Sequence, residues 1–445
     1  MSSSQVARSG RPRRPLSNVA ILLGLCALAI VSSAAAAEPP AQRRAPQLPA
    51  GPMFSLQQAI AAMQGGHLLL QSTQANVRAA AADTVGAGLW TNPTLDGGYS
   101  RGITSAQNDV AGFISVGVTQ FVETADAPGA RRQAAAMVEQ AVIFDGQALA
   151  RNLQFAVEEA YVTLAAAATR QLVYSESNLE LERANQIVLA RVKAGAAPSY
   201  DATRIAVALA QSHASLGDAE AEMLRSRGDL DAAVGPGAAG LTGLPALDLY
   251  TIASASTLEN WLEIVGRERP DVRAAQNRAK AAEAQIAVAR ASVQPGFGLR
   301  GGLAYGNTPQ EFDVLISVSL PLPLNDRGQG SIAAALAYAE SANFAFDAMA
   351  LQAVQRVRSA YHEFVRRRLA HAAYFERGVF TSLGMVTEAE AGYRAGKLSV
   401  LELVDAYVAN RDSRLRAVGL AESAQLADVK LRRAVYAGSR DFAAK

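Results

Sequence analysis

The chain has 445 residues, 42 basic and 40 acidic, with one cysteine and four histidines. This near balance of charge is not that of a nucleic-acid binder, and a lone cysteine excludes a disulfide framework or a cysteine metal site. Abundant Ala among regular Glu, Gln and Arg favours long, closely packed helices, and the length leaves room for two or three ordinary domains.

Residues 1–37 read as a signal peptide for export. Arg8, Arg11, Arg13 and Arg14 precede an apolar stretch from Val19 to Val31, and Ala35-Ala36-Ala37 offers a cleavage site. Cys26 lies inside the apolar stretch after Leu25, so removal with the signal is expected rather than lipidation. Cleavage takes four arginines and no acid, which leaves 38 basic residues against 40 acidic. Residues 38–54 form a Pro-rich leader. Ser55 to Trp90 is expected to be helical with a bend at Gly65-Gly66, ended by Asn92-Pro93.

A strand hairpin follows, at about 93–102 and 110–122. Leu95 and Tyr99 alternate with Asp96 and Ser100; then Val110, Ile114, Val116 and Val118 alternate with Ala111, Phe113, Ser115 and Gly117. From about Gly129 to Lys193 no proline interrupts, and a helix of that length would reach roughly 95 Å. Gly195 breaks it, a return helix runs from Ser199 to about Val234, and Gly235-Pro236-Gly237 ends that. Residues 241–256 read as a linker.

The order then recurs. Leu56 and Leu258 open matching segments 202 residues apart, and the same offset pairs Pro93 with Pro295 and Ile114-Ser115-Val116 with Ile316-Ser317-Val318. Small shifts pair Tyr161 with Tyr361 and Gly195 with Gly396. The chain is therefore divided into a first repeat, 55–240, and a second, 257–438, with a tail at 439–445. The second hairpin, at about 295–306 and 311–322, sets Phe297, Leu299, Leu303 and Tyr305 against Gly298, Arg300 and Gly302. Its return arm sets Phe312, Val314, Ile316 and Val318 against Asp313, Leu315, Ser317 and Ser319. Asn307-Thr308-Pro309-Gln310 reads as its turn, and Pro321 and Pro323 stop the pairing.

Arms of about 10 residues, apolar on one face and small or polar on the other, suit strands crossing a bilayer with lipid outside and water inside. Four strands cannot close a barrel of roughly 8 or more, so several copies must pool them. A cyclic homotrimer gives twelve strands, and the long antiparallel helices continue the wall as a periplasmic α-barrel. The expected fold class is mainly α with a small β part and an internal two-fold duplication. No His, Ser or acid stands in a catalytic or metal-ligating order; His67, His213, His362 and His371 lack ligand spacing, so no enzyme activity, cofactor or metal site is expected. Arg366-Arg367-Arg368 and Arg432-Arg433 read as solvated faces or inter-helix pairs.

The order of elements from Ser55 to about Gly438 resembles the TolC-like outer-membrane factors. Its carriers are LQQAI, NPTL, QPGF and the two tip turns RVKAGAAPSYDATRIA and GYRAGKLSVLELVDA. SVSLPLPLNDRGQGSIAAA is similar to the segment of members serving cobalt-zinc-cadmium exporters, whereas QFVETADAPGARR departs from that subfamily's Gly-Gly-Lys/Arg turn. The resemblance implies an exit duct of a tripartite efflux system in the outer membrane with a large periplasmic portion, working with a periplasmic adaptor and an inner-membrane RND-type pump. Divalent heavy-metal cations are the expected cargo, and drugs or a secreted polypeptide the alternative. It further implies adaptor contact at the tips, through Gly195, Ala196, Ala197, Gly396, Lys397, Leu398 and Ser399. Glu402 and Asp405 would form an acidic ring, and Asp201 and Tyr393 would hold the closed state. Leu398 stands where other members carry an Arg, with Lys397 as the substitute. A trimeric surface adhesin also builds twelve strands from four per chain, but its anchor sits once, at the C-terminus, and here the hairpins lie mid-chain in both halves.

Overall fold

A computed structural model of the protein describes residues 52–101, 112–254, 256–306 and 312–436. The signal peptide, most of the leader, both hairpin turns, Cys26 and the C-terminal tail lie outside the described residues. The chain begins with strand β1 (Met53–Phe54) and helix α1 (Leu56–Gly66), which Ser55 and Gln58 cap reciprocally. His67 ends α1 and, through Nδ1 accepting from the Leu69 amide at 3.2 Å, caps α2 (Leu68–Ala87). The bend expected at Gly65-Gly66 thus falls one residue later, on a side chain able to cap.

Strands β2 (Thr94–Arg101) and β3 (Gly112–Val122) lead into α3 (Ala127–Lys193), 67 residues without a break. At 1.5 Å per residue it is about 100 Å long. Ala134, Ala141 and Ala148 are buried at seven-residue spacing, so neighbouring helices approach closely along one seam. α4 (Ser199–Val234) returns along α3 and ends in a 3₁₀ turn (Gly235–Gly240). The segment read as a linker is not a loose tether. Its β4 (Leu244–Pro245) pairs in parallel with β1, and Leu241, Leu247 and Leu249 are buried with Phe54, Met63, Phe155 and Leu164. Tyr161, whose hydroxyl donates to the Phe54 carbonyl at 3.0 Å, ties this belt to α3.

The second half supplies α5 (Leu258–Glu268), α6 (Pro270–Val293), β5 (Phe297–Gly306), β6 (Phe312–Ser319) and α7 (Gln329–Tyr374). A turn of π-helix (Phe375–Val379) then joins α7 to α8 (Phe380–Arg394), and α9 (Val400–Val435) closes the described chain. β6 stops at Ser319, short of Leu322, because Pro321 has no N–H to give the ladder.

The four long strands form one antiparallel sheet in the order β2-β3-β5-β6. Register places Leu95 opposite Val118, Val116 opposite Leu303 and Leu303 opposite Val314, so one face is continuously apolar. None of the described helices covers that face: Leu95, Val314 and Ile316 are 76%, 72% and 77% exposed. The opposite face is polar. Arg300 on β5 reaches across Gly117 on β3 to pair with Asp96 on β2, which also accepts from the Thr119 hydroxyl at 3.0 Å. A Cβ at 117 would lie 2.8 Å from Arg300 Nε, so a side chain there would push the guanidinium off this path.

The helices keep the strand order. α2, α3, α6 and α7 lie side by side beyond β2, β3, β5 and β6. The chain is thereby a strip with two unlike edges, one of β2, α2 and α4 and the other of β6, α7 and α8. Both expose apolar side chains, among them Leu68, Val85 and Leu224 on the first and Tyr338, Phe344 and Leu351 on the second. No described helix is long and apolar enough to cross a membrane, which says nothing of strands.

Deep in the helical layer, Arg432 on α9 and Glu158 on α3 are 1% and 0% exposed as side chains and meet at 2.5 Å; Arg432 also binds Asp428 at 2.9 Å. Arg433 pairs with Glu159 at 3.3 Å. Of the two environments the sequence allowed for Arg432-Arg433, the structure takes the inter-helix pair, and for Arg432 it is fully desolvated.

Candidate functional site

The two helical hairpins, α3–α4 and α8–α9, turn side by side at the end remote from the sheet. Each turn needs a left-handed residue after the helix, and glycine provides it without steric cost: Gly195 at φ 68° and Gly396 at φ 71°. At the first tip the Ala196 amide donates to the Arg191 carbonyl at 2.9 Å and Gly195 to Val192 at 3.0 Å; at the second, Lys397 donates to Gly392 at 2.9 Å and Gly396 to Tyr393 at 3.0 Å. Both helices thus end in the same double-bonded C-terminal motif. Pro198 and Ser399 then open the return helices.

Three residues clasp one hairpin to the other. The Tyr393 hydroxyl donates to Asp201 Oδ2 at 2.9 Å, and both side chains are buried. Burial and the Asp201 carboxylate push the Tyr393 phenol up to about 12, so it is the donor at any physiological pH. The Arg191 guanidinium lies 4.8 Å over the Tyr393 ring, donates to the Tyr393 carbonyl and reaches the Ala196 carbonyl at 3.0 Å. One cation therefore holds the C-terminal ends of both α3 and α8, where the helix dipoles favour positive charge. Beneath the clasp, Leu181, Val188, Ile205, Val400, Leu403 and Tyr407 form a common core.

The structure brings Asp201 and Tyr393 together, and it places the remaining candidate residues around them. Gly195, Ala196, Gly396, Lys397 and Ser399 are exposed, and Ala197 and Leu398 are half-buried. Leu398 packs on the tip core and against Gly392, where a Cβ would stand 2.6 Å from Leu398 Cδ1. It is a packing residue in this tip. Glu402 caps its own helix. Its carboxylate accepts from the Ser399 amide at 2.7 Å and hydroxyl at 2.8 Å, closing a capping box. Those bonds hold its carboxyl below the usual range. Asp405, one turn further, is exposed on α9.

Arg191 did not stand out in the sequence. Two residues after Gly396 the chain carries Leu398 rather than a cation, and the cation at this tip comes from the other hairpin. Its signal was an Arg in the last turn before a left-handed glycine, positioned to bond terminal carbonyls. Among the described residues no group of three or more His, Cys, Asp or Glu side chains could hold a metal ion.

A family model described as "Outer membrane efflux protein" matches residues 261–435. The second half of the chain is thus similar to the outer membrane efflux proteins. The nickel-cobalt-cadmium resistance protein NccC of Alcaligenes xylosoxydans xylosoxydans is 29% identical over 299 residues, 64% of this chain and 64% of that protein. The alignment therefore spans less than two thirds of NccC's own length. Among solved structures, the outer-membrane channel OprN superposes with a TM-score of 0.72 at 21% identity, covering 86% of this chain and 90% of its own. CusC gives 0.70 at 16%, covering 85% and 91%. These identities speak for a shared fold, and with it the expected class holds: mainly helical with a small sheet. The double-hairpin tip and the sheet, whose β2 and β6 edges are unpaired among the described residues, occupy opposite ends of the long helices.

Proposed function

We infer that three copies of this chain build an outer-membrane exit duct of a tripartite efflux system, which passes divalent heavy-metal cations outward. The observation that carries this reading is the apolar sheet face that none of the described helices covers, on a sheet whose two edges are unpaired among the described residues. Exposed apolar surface of this extent marks an interaction site, and strands with unpaired edges span lipid only when the edges close on one another. Two copies would give eight strands, whose interior side chains alone fill, whereas twelve leave a passage. The polar face with Asp96, Thr119 and Arg300 then lines the bore. Each edge meets the unlike edge of its neighbour, the head-to-tail contact that makes a ring.

At the far end the Asp201–Tyr393–Arg191 clasp holds the tips closed, and Gly195, Ala196, Ala197, Gly396, Lys397, Leu398 and Ser399 present the surface for a periplasmic adaptor coupled to an inner-membrane pump. Three copies of Asp405, beside the capping Glu402, concentrate cations at the entrance. The duct performs no covalent chemistry. The metal cargo is supported by the likeness to a protein named for nickel, cobalt and cadmium resistance. A deletion strain tests it: sensitivity to those ions, restored by the gene, is expected. Sensitivity to drugs alone would replace metal by drug as cargo, and a purified protein without conductance in planar bilayers would refute the duct.

A further inference from the structure

Along α7 the buried residues Ala353, Val357, Phe364 and His371 follow a seven-residue seam. Continued without a break, that seam would bring residues 378, 385 and 392 inward. The residues that pack inward on α8 are instead Val386, Ala389 and Tyr393, while Met385 is exposed. The seam is displaced by one residue, and the displacement falls at the π turn, Phe375–Val379. The same surplus is visible in chain spacing. Thirty-four positions separate Tyr161 from Gly195 along α3, which is unbroken, and 35 separate Tyr361 from Gly396.

A single inserted residue is what a π turn accommodates, and such turns gather at functional places. The packing on either side does not need it, since removing one residue would carry Val379, Val386 and Tyr393 onto the regular seam. The turn is gripped from outside. Tyr250, from the 241–256 segment, stacks 6.3 Å from His371 and 5.1 Å from Phe375, and the Tyr374 hydroxyl bonds Ser413 at 3.2 Å. At Gly378 a Cβ would lie 2.9 Å from the Tyr374 ring, so the turn also depends on a residue that weakens helix. His371 Nε2 is buried there without a hydrogen-bond partner.

We propose that the π turn is a hinge, a stored one-residue surplus that lets α8 and its tip shift against α7 while α3, continuous at the same level, stays rigid. The hinge itself stands on the geometry alone; its use in opening a pore rests on the duct reading above. The test is deletion of Gly378 in the full-length protein, read by hydrogen exchange and by planar-bilayer conductance. In the wild type, amides of 375–382 should exchange about tenfold or more faster than those of α3 at the level of Tyr174; the deletion should slow them about tenfold and lower open-state occupancy. Phe375→Ala, which loosens the grip, should act in the opposite sense. A folded deletion variant with unchanged exchange would overturn the hinge. So would one that cannot fold, because the packing would then require the extra residue. If the wild type forms no pore but the exchange contrast is present, the duct reading fails and the hinge stands.

Discussion

Replacing Tyr393 by Phe removes one oxygen from the tip and leaves the ring beneath Arg191 in place, so it isolates the bond to Asp201. That bond joins a buried hydroxyl to a buried carboxylate at 2.9 Å. Hydrogen bonds to charged groups contribute about 1.5–3 kcal/mol, and Asp201 would be left without this donor. At about 1.4 kcal/mol per tenfold, closure of the two hairpins should weaken by roughly 10- to 140-fold. Hydrogen exchange at the Lys397 amide, bonded to the Gly392 carbonyl next to Tyr393, follows the loosening at the second tip. The alkaline limb gives a second readout. A phenol raised to about 12 contributes stability that is full below its unfolded value near 10 and lost as pH rises through about 12. The Phe variant should lack that step. Exchange within about twofold of wild type would refute the clasp as an energetic link.

Arg432→Ala should destabilise by about 3–5 kcal/mol in urea unfolding, because it leaves Glu158 and Asp428 buried without the guanidinium between them. Ala125 and Asp126 hold consecutive left-handed conformations at φ 57° and 51°, in the turn that departs from Gly-Gly. Ala125→Gly should therefore stabilise by about 0.5–1 kcal/mol, the left-handed penalty less the added chain entropy, measured as a raised midpoint. Burial raises the Glu180 carboxyl against the pull of Arg414, and one of its oxygens is buried without a hydrogen-bond partner. A raised acid favours the fold when protonated, so stability should fall as pH rises from about 4.5 through the raised value. Glu180→Gln should flatten that slope in thermal melts across pH 4.5 to 7.

The strands were legible because alternation at period two needs only one hydrophobic face, and the residues from Leu95 to Val318 keep it through four arms. The long helices and their tips were legible from uninterrupted helix formers ending at Gly195 and Gly396. What the sequence hid was of a different kind. In an Ala-rich helix, small residues stand on every face, so a seam displaced by one at Phe375–Val379 leaves little trace in the pattern. The pairing of β1 with β4 spans two residues each, below any periodic signal. The desolvated Arg432 looks like any charged residue on a helix, because its partner Glu158 is distant in the chain. Arg191 was hidden for the same reason: its target, Tyr393, belongs to the other hairpin.

Whether the bare sheet is finished by copies of its own chain is read from the mass of the intact assembly extracted from membranes in mild detergent. Three chains are expected, falling apart when Ile316→Pro interrupts the β6 edge. A stable species of one or two chains that still conducts would mean that the sheet is completed in some other way.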